Sequence, residues 1–272
     1  MSSSPLSRRA FVALGGAIAW GTPTRYPRSH TSHQSPAAAV GDNFPAHDAD
    51  LINDIVTAAH GSLTRVRELV EQKPALARAC IDWGFGDSES CIDGASHMGR
   101  RDIAELLMAH GARATIFTAA MMGHLDAVKA CIASAPGVQR THGPHSLTLL
   151  AHARAGGRDA EPVVRYLTAL GDADAPPLPS APLGAAEQRA LVGRYRFAAG
   201  PRGYFDVDVD RDQLGIYRPG SPARRGLTHV GQLAFYPAGA PAVRIAFAQD
   251  GARVNRFTIA DPDVFVTATR VG

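Results

Sequence analysis

The chain has 272 residues, of which 45% are hydrophobic and 19% charged. That length holds one or two domains, the apolar fraction excludes wholesale disorder, and no apolar run approaches the roughly 20 residues of a membrane-spanning helix. The net charge of +3 raises the question of nucleic acid, and its distribution answers it. Residues 1–39 hold four arginines and no acid; 40–175 hold twelve basic and seventeen acidic residues; 176–272 hold twelve basic and eight acidic. The excess sits in the leader, so no nucleic-acid partner is expected. Only Lys73 and Lys129 are available to chemistry that needs a lysine.

The leader runs Ser7-Arg8-Arg9-Ala10-Phe11-Val12 into the weakly apolar Ala13–Ala19. A basic start followed by a short apolar stretch has the form of an export signal. Arg8, Arg9 and Phe11 give it a resemblance to the bacterial twin-arginine (Tat) signal. Ala37-Ala38-Ala39 offers a small-x-small cleavage site and Ala17-Ile18-Ala19 another; the first is preferred, because 21–39 would otherwise remain as a low-complexity tail. The resemblance implies a periplasmic or secreted protein that folds before translocation and does not associate with a membrane once the leader is removed; a cytoplasmic chain is the alternative. Residues 1–39 are therefore read as signal and low-complexity leader, and 40–47 as a linker.

Next comes self-similarity. Val56-Thr57-Ala58-Ala59-His60-Gly61 corresponds to Phe117-Thr118-Ala119-Ala120-Met121-Met122-Gly123, and each precedes an amphipathic helix pattern. Residues 90–100 lie between them as a further unit, and a fourth begins at Thr148-Leu149-Leu150-Ala151-His152-Ala153. The turn glycines Gly61, Gly99, Gly123 and Gly156 lie 38, 24 and 33 residues apart. These units resemble ankyrin repeats, best at Gly123-His124-Leu125-Asp126-Ala127-Val128, although no unit has the full T-P-L-H sequence. The resemblance implies a solenoid of about four repeats over 48–175. An insertion in the first unit carries Trp83-Gly84-Phe85-Gly86.

A Pro-rich linker, 176–186, precedes alternating segments over 187–272. Strands are predicted around Tyr195 and Phe197, at 205–210, and at 213–218, 231–237, 242–248, 253–259 and 263–270. They predict a small antiparallel meander, barrel or curled sheet. Leu191-x-Gly193-x-Tyr195 is similar to the opening of the lipocalin-like β domain appended to some secreted hydrolases, where it is an accessory module. The fold class expected is thus α + β multidomain, a helical ankyrin-type solenoid followed by a small antiparallel β domain.

Chemistry-bearing motifs are sparse. Asp206, Asp208 and Asp210 alternate like a calcium loop, but Arg211 and Tyr217 stand where that loop needs Gly and Glu. They read as the solvated side of a strand. Among the histidines, His142, His145 and His152 are densest, yet no cysteine or acid beside them completes a ligand set. His97, His110 and His124 read as repeat-turn residues bonded to nearby backbone. Arg218, Arg224 and Arg225 read as an exposed, solvated loop. Nucleophile, P-loop and dinucleotide signatures are missing. Cys80, Cys91 and Cys131 leave at least one thiol unpaired, and a Cys80–Cys91 link stays open.

These readings predict no catalytic residue, no metal and no cofactor. They predict a monomeric, non-enzymatic module that binds a protein partner through Trp83, Phe85, Phe117, Met121, Met122 and His145. The rival is a ligand-binding or enzymatic β domain lined by Tyr195, Tyr204, Tyr217 and Tyr236.

Overall fold

Four consecutive helix–turn–helix pairs build the first half of the protein in a computed structural model. It describes residues 45–174, 178–221, 224–251, 253–262 and 264–272. The leader residues Arg8, Arg9 and Phe11 lie outside them. The pairs are α1 (Ala49–Ala59) with α2 (Leu63–Gln72), α3 (Cys91–His97) with α4 (Arg101–Ala109), α5 (Ile116–Met121) with α6 (Leu125–Ser134), and α7 (Leu149–Ala155) with α8 (Glu161–Leu170). Gly61, Gly99, Gly123 and Gly156 sit in the four turns between partners.

Polar caps set where the first helices begin. The hydroxyls of Ser90, Thr115 and Thr148 accept N–H bonds from the opening turns of α3, α5 and α7. Each first helix touches the next along the series α1, α3, α5, α7. Small side chains make this approach tight: Ala59, Ala95, Ala120 and Ala153 are buried where the helices meet.

Between α2 and α3 the chain makes a β-hairpin of β1 (Cys80–Gly84) and β2 (Asp87–Ser90). Its two turn residues, Phe85 (φ 56°) and Gly86 (φ 76°), are both left-handed, the conformation of a tight I′ turn. Phe85 tolerates that conformation at a cost. Its ring packs against the core of the second half.

That second half is a closed barrel of eight strands. After α9 (Ala185–Leu191) come β3 (Gly193–Arg196), β4 (Tyr204–Asp210), β5 (Gln213–Tyr217), β6 (Arg225–Gly231), β7 (Ala234–Pro237), β8 (Arg244–Asp250), β9 (Arg253–Asp261) and β10 (Val264–Val271). Each strand pairs antiparallel with the next, and β10 closes on β3. Buried Tyr195, Phe235 and Phe257 fill the interior with Phe247, ring against ring at 4.9–5.8 Å. The Tyr195 hydroxyl donates to the Leu191 carbonyl at 2.7 Å, which ties α9 to the barrel and accounts for the Leu191-x-Gly193-x-Tyr195 pattern. Tyr195 and Tyr236 are buried, 0% and 7% exposed.

Two sequence expectations change here. Residues 231–237 do not form one strand: Gln232 and Leu233 take left-handed turn conformations between β6 and β7. Gly231 precedes the turn, but its two central positions hold neither Asn nor Gly, so the usual hairpin pattern is missing. The loop expected at Arg224-Arg225 runs into β6, and Arg225 is 5% exposed. The described residues form one compact unit in which helices and barrel are joined.

Candidate metal centre

The period of two in β2 turns Asp87 and Glu89 to the same inward face, while Ser88 points out. Both acids are buried, Glu89 completely. A buried carboxylate needs partners, and Glu89 has four. Trp83 Nε1–H, from β1, donates to its Oε2 at 3.0 Å. Three imidazole nitrogens approach its other oxygen, Oε1: His97 Nε2 at 2.7 Å, His60 Nε2 at 3.3 Å and His145 Nε2 at 3.4 Å.

Each histidine arrives from a different element. His60 caps the C-terminal end of α1. His97 ends α3, and helical side chains lean toward the helix N-terminus, which is where Glu89 lies. His145 sits in the irregular segment between α6 and α7 with φ 60° and ψ 22°, a left-handed conformation stored at the site. Gly94 makes room inside α3. A Cβ there would stand 3.0 Å from His60 Cε1 and 3.6 Å from Glu89 Oε1.

Two of the three other ring nitrogens are held as well. His60 Nδ1 lies 2.9 Å from the Val56 carbonyl, which can only accept, so Nδ1 carries the proton. His145 Nδ1 lies 3.1 Å from Asp87 Oδ2, and its backbone N–H donates to Asp87 Oδ1 at 2.9 Å. With Nδ1 protonated, the neutral forms of both rings aim their Nε2 lone pairs at the same place. This arrangement of an outer acceptor locking the tautomer of a ligating imidazole is the usual support of a metal-bound histidine.

Electrostatics agree. Burial pushes Glu89 up, but donation from His145, His60 and His97 outweighs it and holds the carboxyl well below the usual carboxylate range. The bond to Glu89 raises His60. Bonds to Asp87 and Glu89 push His145 up to about 9. Without an ion, then, the anionic site draws protons onto His60 and His145. Glu89 Oε1 has two lone pairs and cannot accept three N–H bonds well. A cation at the centre resolves this, because it takes all three nitrogens and the oxygen as ligands. The four ligand atoms lie within 4.8 Å of one another. Donors about 2.1 Å from one ion stand roughly 3–3.4 Å apart; His60 and His145 already stand at 3.3 and 3.4 Å from Glu89 Oε1, and His97, at 2.7 Å, draws back by a few tenths of an ångström to share an ion.

The barrel buttresses the site. Arg225 Nη1 donates to Asp87 Oδ2 at 2.6 Å, and its Nε and Nη2 donate to the carbonyls of Trp83 and Gly84, each at 3.0 Å. Gly239, at φ 81°, lies where a side chain would strike Asp87.

The residues singled out from sequence are placed as follows. His145 belongs to the cluster, and the acid it needed is Glu89, far upstream. Trp83 bonds Glu89. Phe85 packs on the barrel core, and Phe117 is half-buried against His152. Met121 and Met122 are core residues, 0% and 6% exposed, and present no surface. His110 does bond backbone, at Leu106 O, but His97 does not; it faces Glu89. Asp206 and Asp208 pair with Arg194 and Arg224 on the barrel.

His60, His97 and Glu89 were not recognised as site residues from the sequence. One signal was available: histidines recur at the ends of first helices in successive units, and stacked units set such positions side by side. The His60 and His97 rings are 4.8 Å apart. No protein-family model and no curated protein matches the chain.

Proposed function

We propose that this protein binds one divalent transition-metal ion through His60, His97, His145 and Glu89. The observation that carries the reading is the convergence of three Nε2 atoms on Glu89 Oε1 while the Nδ1 atoms of His60 and His145 are committed to Val56 and Asp87. Three imidazoles and a carboxylate, with no thiolate, suit zinc and its neighbours over calcium or magnesium. The test is metal content after equilibration with Zn²⁺ and gel filtration. One ion per chain is expected, falling below a tenth in a His60→Ala/His145→Ala double variant. A chain that takes up no zinc, or a double variant that still holds one ion, would overturn it.

The finer reading of the helices is that they are about four ankyrin-type repeats. Supporting it are the four pairs in chain order, the glycine at every turn, and the Ser or Thr caps of α3, α5 and α7. The hairpin β1–β2 is then an enlarged finger that carries Asp87 and Glu89. The export reading keeps its own test: Arg8-Arg9→Lys-Lys should hold the precursor in the cytoplasm, and unchanged export would reject it. The partner-binding reading loses ground to the metal reading, because four of its six residues are already engaged. Trp83 and His145 contact Glu89, and Met121 and Met122 are buried.

A further inference from the structure

We infer that the metal centre keeps one exchangeable face and that this face takes a small organic carboxylate with a flat apolar body. The inference rests on the metal-binding reading above.

The four ligands are unequally covered. The side chain of Glu89 is 0% exposed and that of His97 is 9%, whereas His60 and His145 are 29% and 30% exposed. Glu89 and His97 form the back of the site. His60 and His145 form its front, and both line a pocket of about 340 Å³ that Glu89 and His97 do not reach. Four protein ligands fill a tetrahedral shell, so an outside group enters as a fifth ligand, an expansion that zinc-type ions allow. The pocket borders the two front ligands and neither of the two at the back, so the front is the side from which a further ligand enters.

The other walls define what fits. Arg224 and Arg225 bring two guanidinium groups to the pocket. Their carboxylate partners, Asp208 and Asp87, do not line it. Arg224 is held by Asp208 and the Gln213 carbonyl, and Arg225 by Asp87 and two carbonyls. Neither is free to swing out and grip a ligand. Held in ion pairs, they act as fixed dipoles whose carboxylate ends do not line the pocket, which favours an anion over a neutral ligand there. Trp83 has spent its N–H on Glu89, so it offers the pocket an aromatic face instead of a donor. Ala238 and Gly226 add walls without charge. A carboxylate on the metal with a planar body along Trp83 satisfies all of these at once. An uncharged molecule of the same shape gains only the apolar part.

Cobalt reports the coordination of such sites through its visible bands. The Co²⁺-loaded full chain is titrated with benzoate and with its uncharged counterpart benzamide, after cobalt stoichiometry has been measured. Benzoate should shift the bands saturably and benzamide should leave them in place. Thr57→Phe, on the exposed face of α1 at the pocket, should weaken benzoate at least tenfold. Bound cobalt whose bands ignore benzoate would show a closed centre and overturn this inference alone. An equal response to benzamide, or a Thr57→Phe variant that binds benzoate as before, would also overturn it. Failure to take up cobalt at all would sink the metal reading with it.

Discussion

Arg225 of the barrel and Asp87 of the hairpin form a buried ion pair, 2.6 Å from Nη1 to Oδ2, with side chains 6% and 3% exposed. The same Asp87 oxygen faces His145 Nδ1 at 3.1 Å. One carboxylate therefore joins the barrel to a metal ligand, so the two halves of the protein and the metal centre are energetically linked.

Replacing Arg225 tests that link. Arg225→Met leaves Asp87 buried without its cation, a loss of about 3–5 kcal/mol by analogy with broken buried pairs. It also slackens the support of His145, and losing such a support typically costs about 10–100-fold in metal affinity. Arg225→Lys retains the charge but not the two carbonyl bonds, so it should fall between. Urea denaturation and a competitive zinc titration measure the two effects. Unchanged affinity in Arg225→Met would separate the barrel from the centre.

His110 provides an internal control. Its Nδ1 bonds the Leu106 carbonyl at 2.9 Å, the same local contact that His60 makes with Val56. It lies outside the cluster. His110→Ala should keep one zinc per chain, and His60→Ala should weaken binding at least a hundredfold. Equal losses in both variants would mean that helix-end packing, not ligation, governs uptake.

Gly94 gives up helix propensity for space. Ala at a helix interior is favoured over Gly by about 0.5–1 kcal/mol, yet a Cβ at 94 crowds the His60 ring. Gly94→Ala is expected to change the stability of the metal-free protein by less than about 1 kcal/mol while lowering zinc affinity at least tenfold. Calorimetric titration alongside thermal melting separates the two. Zinc affinity equal to wild type would show that the ring shifts without penalty.

Removing the metal should be visible in stability. An ion present at a thousand times its Kd adds about 4 kcal/mol to the folded state. For a unit of this size about 2–4 °C accompany each kcal/mol. Chelation with EDTA should therefore lower Tm by roughly 8–16 °C, and added zinc should restore it. A Tm indifferent to EDTA, in protein shown to contain zinc beforehand, would contradict a site that bridges α1, α3 and the hairpin.

The thiols separate by burial. Cys80, Cys91 and Cys131 are all free, Cys91 buried and Cys80 exposed. Burial pushes the Cys91 thiol up to about 12. Burial and nearby acids raise the Cys80 thiol as well, but it stays exposed, so iodoacetamide at pH 8 should label Cys80 slowly in the native protein and Cys91 only after unfolding. Peptide mass mapping distinguishes them, and rapid labelling of native Cys91 would be inconsistent with its packing beneath the Leu76 and Ala79 carbonyls.

The order of elements along the chain is legible in local signals. Glycines at 61, 99, 123 and 156 mark four turns because the chain reverses there between two apolar helix faces, and period-two alternation from Tyr195 onward marks strands. Both signals are local, fixed by backbone preference and by which side chains must be buried. The closure of the barrel was only one of the options, because pairing β10 with β3 depends on residues some 75 positions apart. The two strands of the hairpin were read only as an insertion, and β6 was hidden behind two arginines that sequence places in solvent. Tertiary structure alone decided the site. Glu89, His60, His97 and His145 lie 8 to 85 positions apart, carry no spacing motif, and meet because stacked helices and a folded hairpin bring their side chains to one point. Buried charge is a property of what surrounds a residue, so Glu89, Asp87 and Arg225 look like ordinary surface residues until the elements that enclose them are in place.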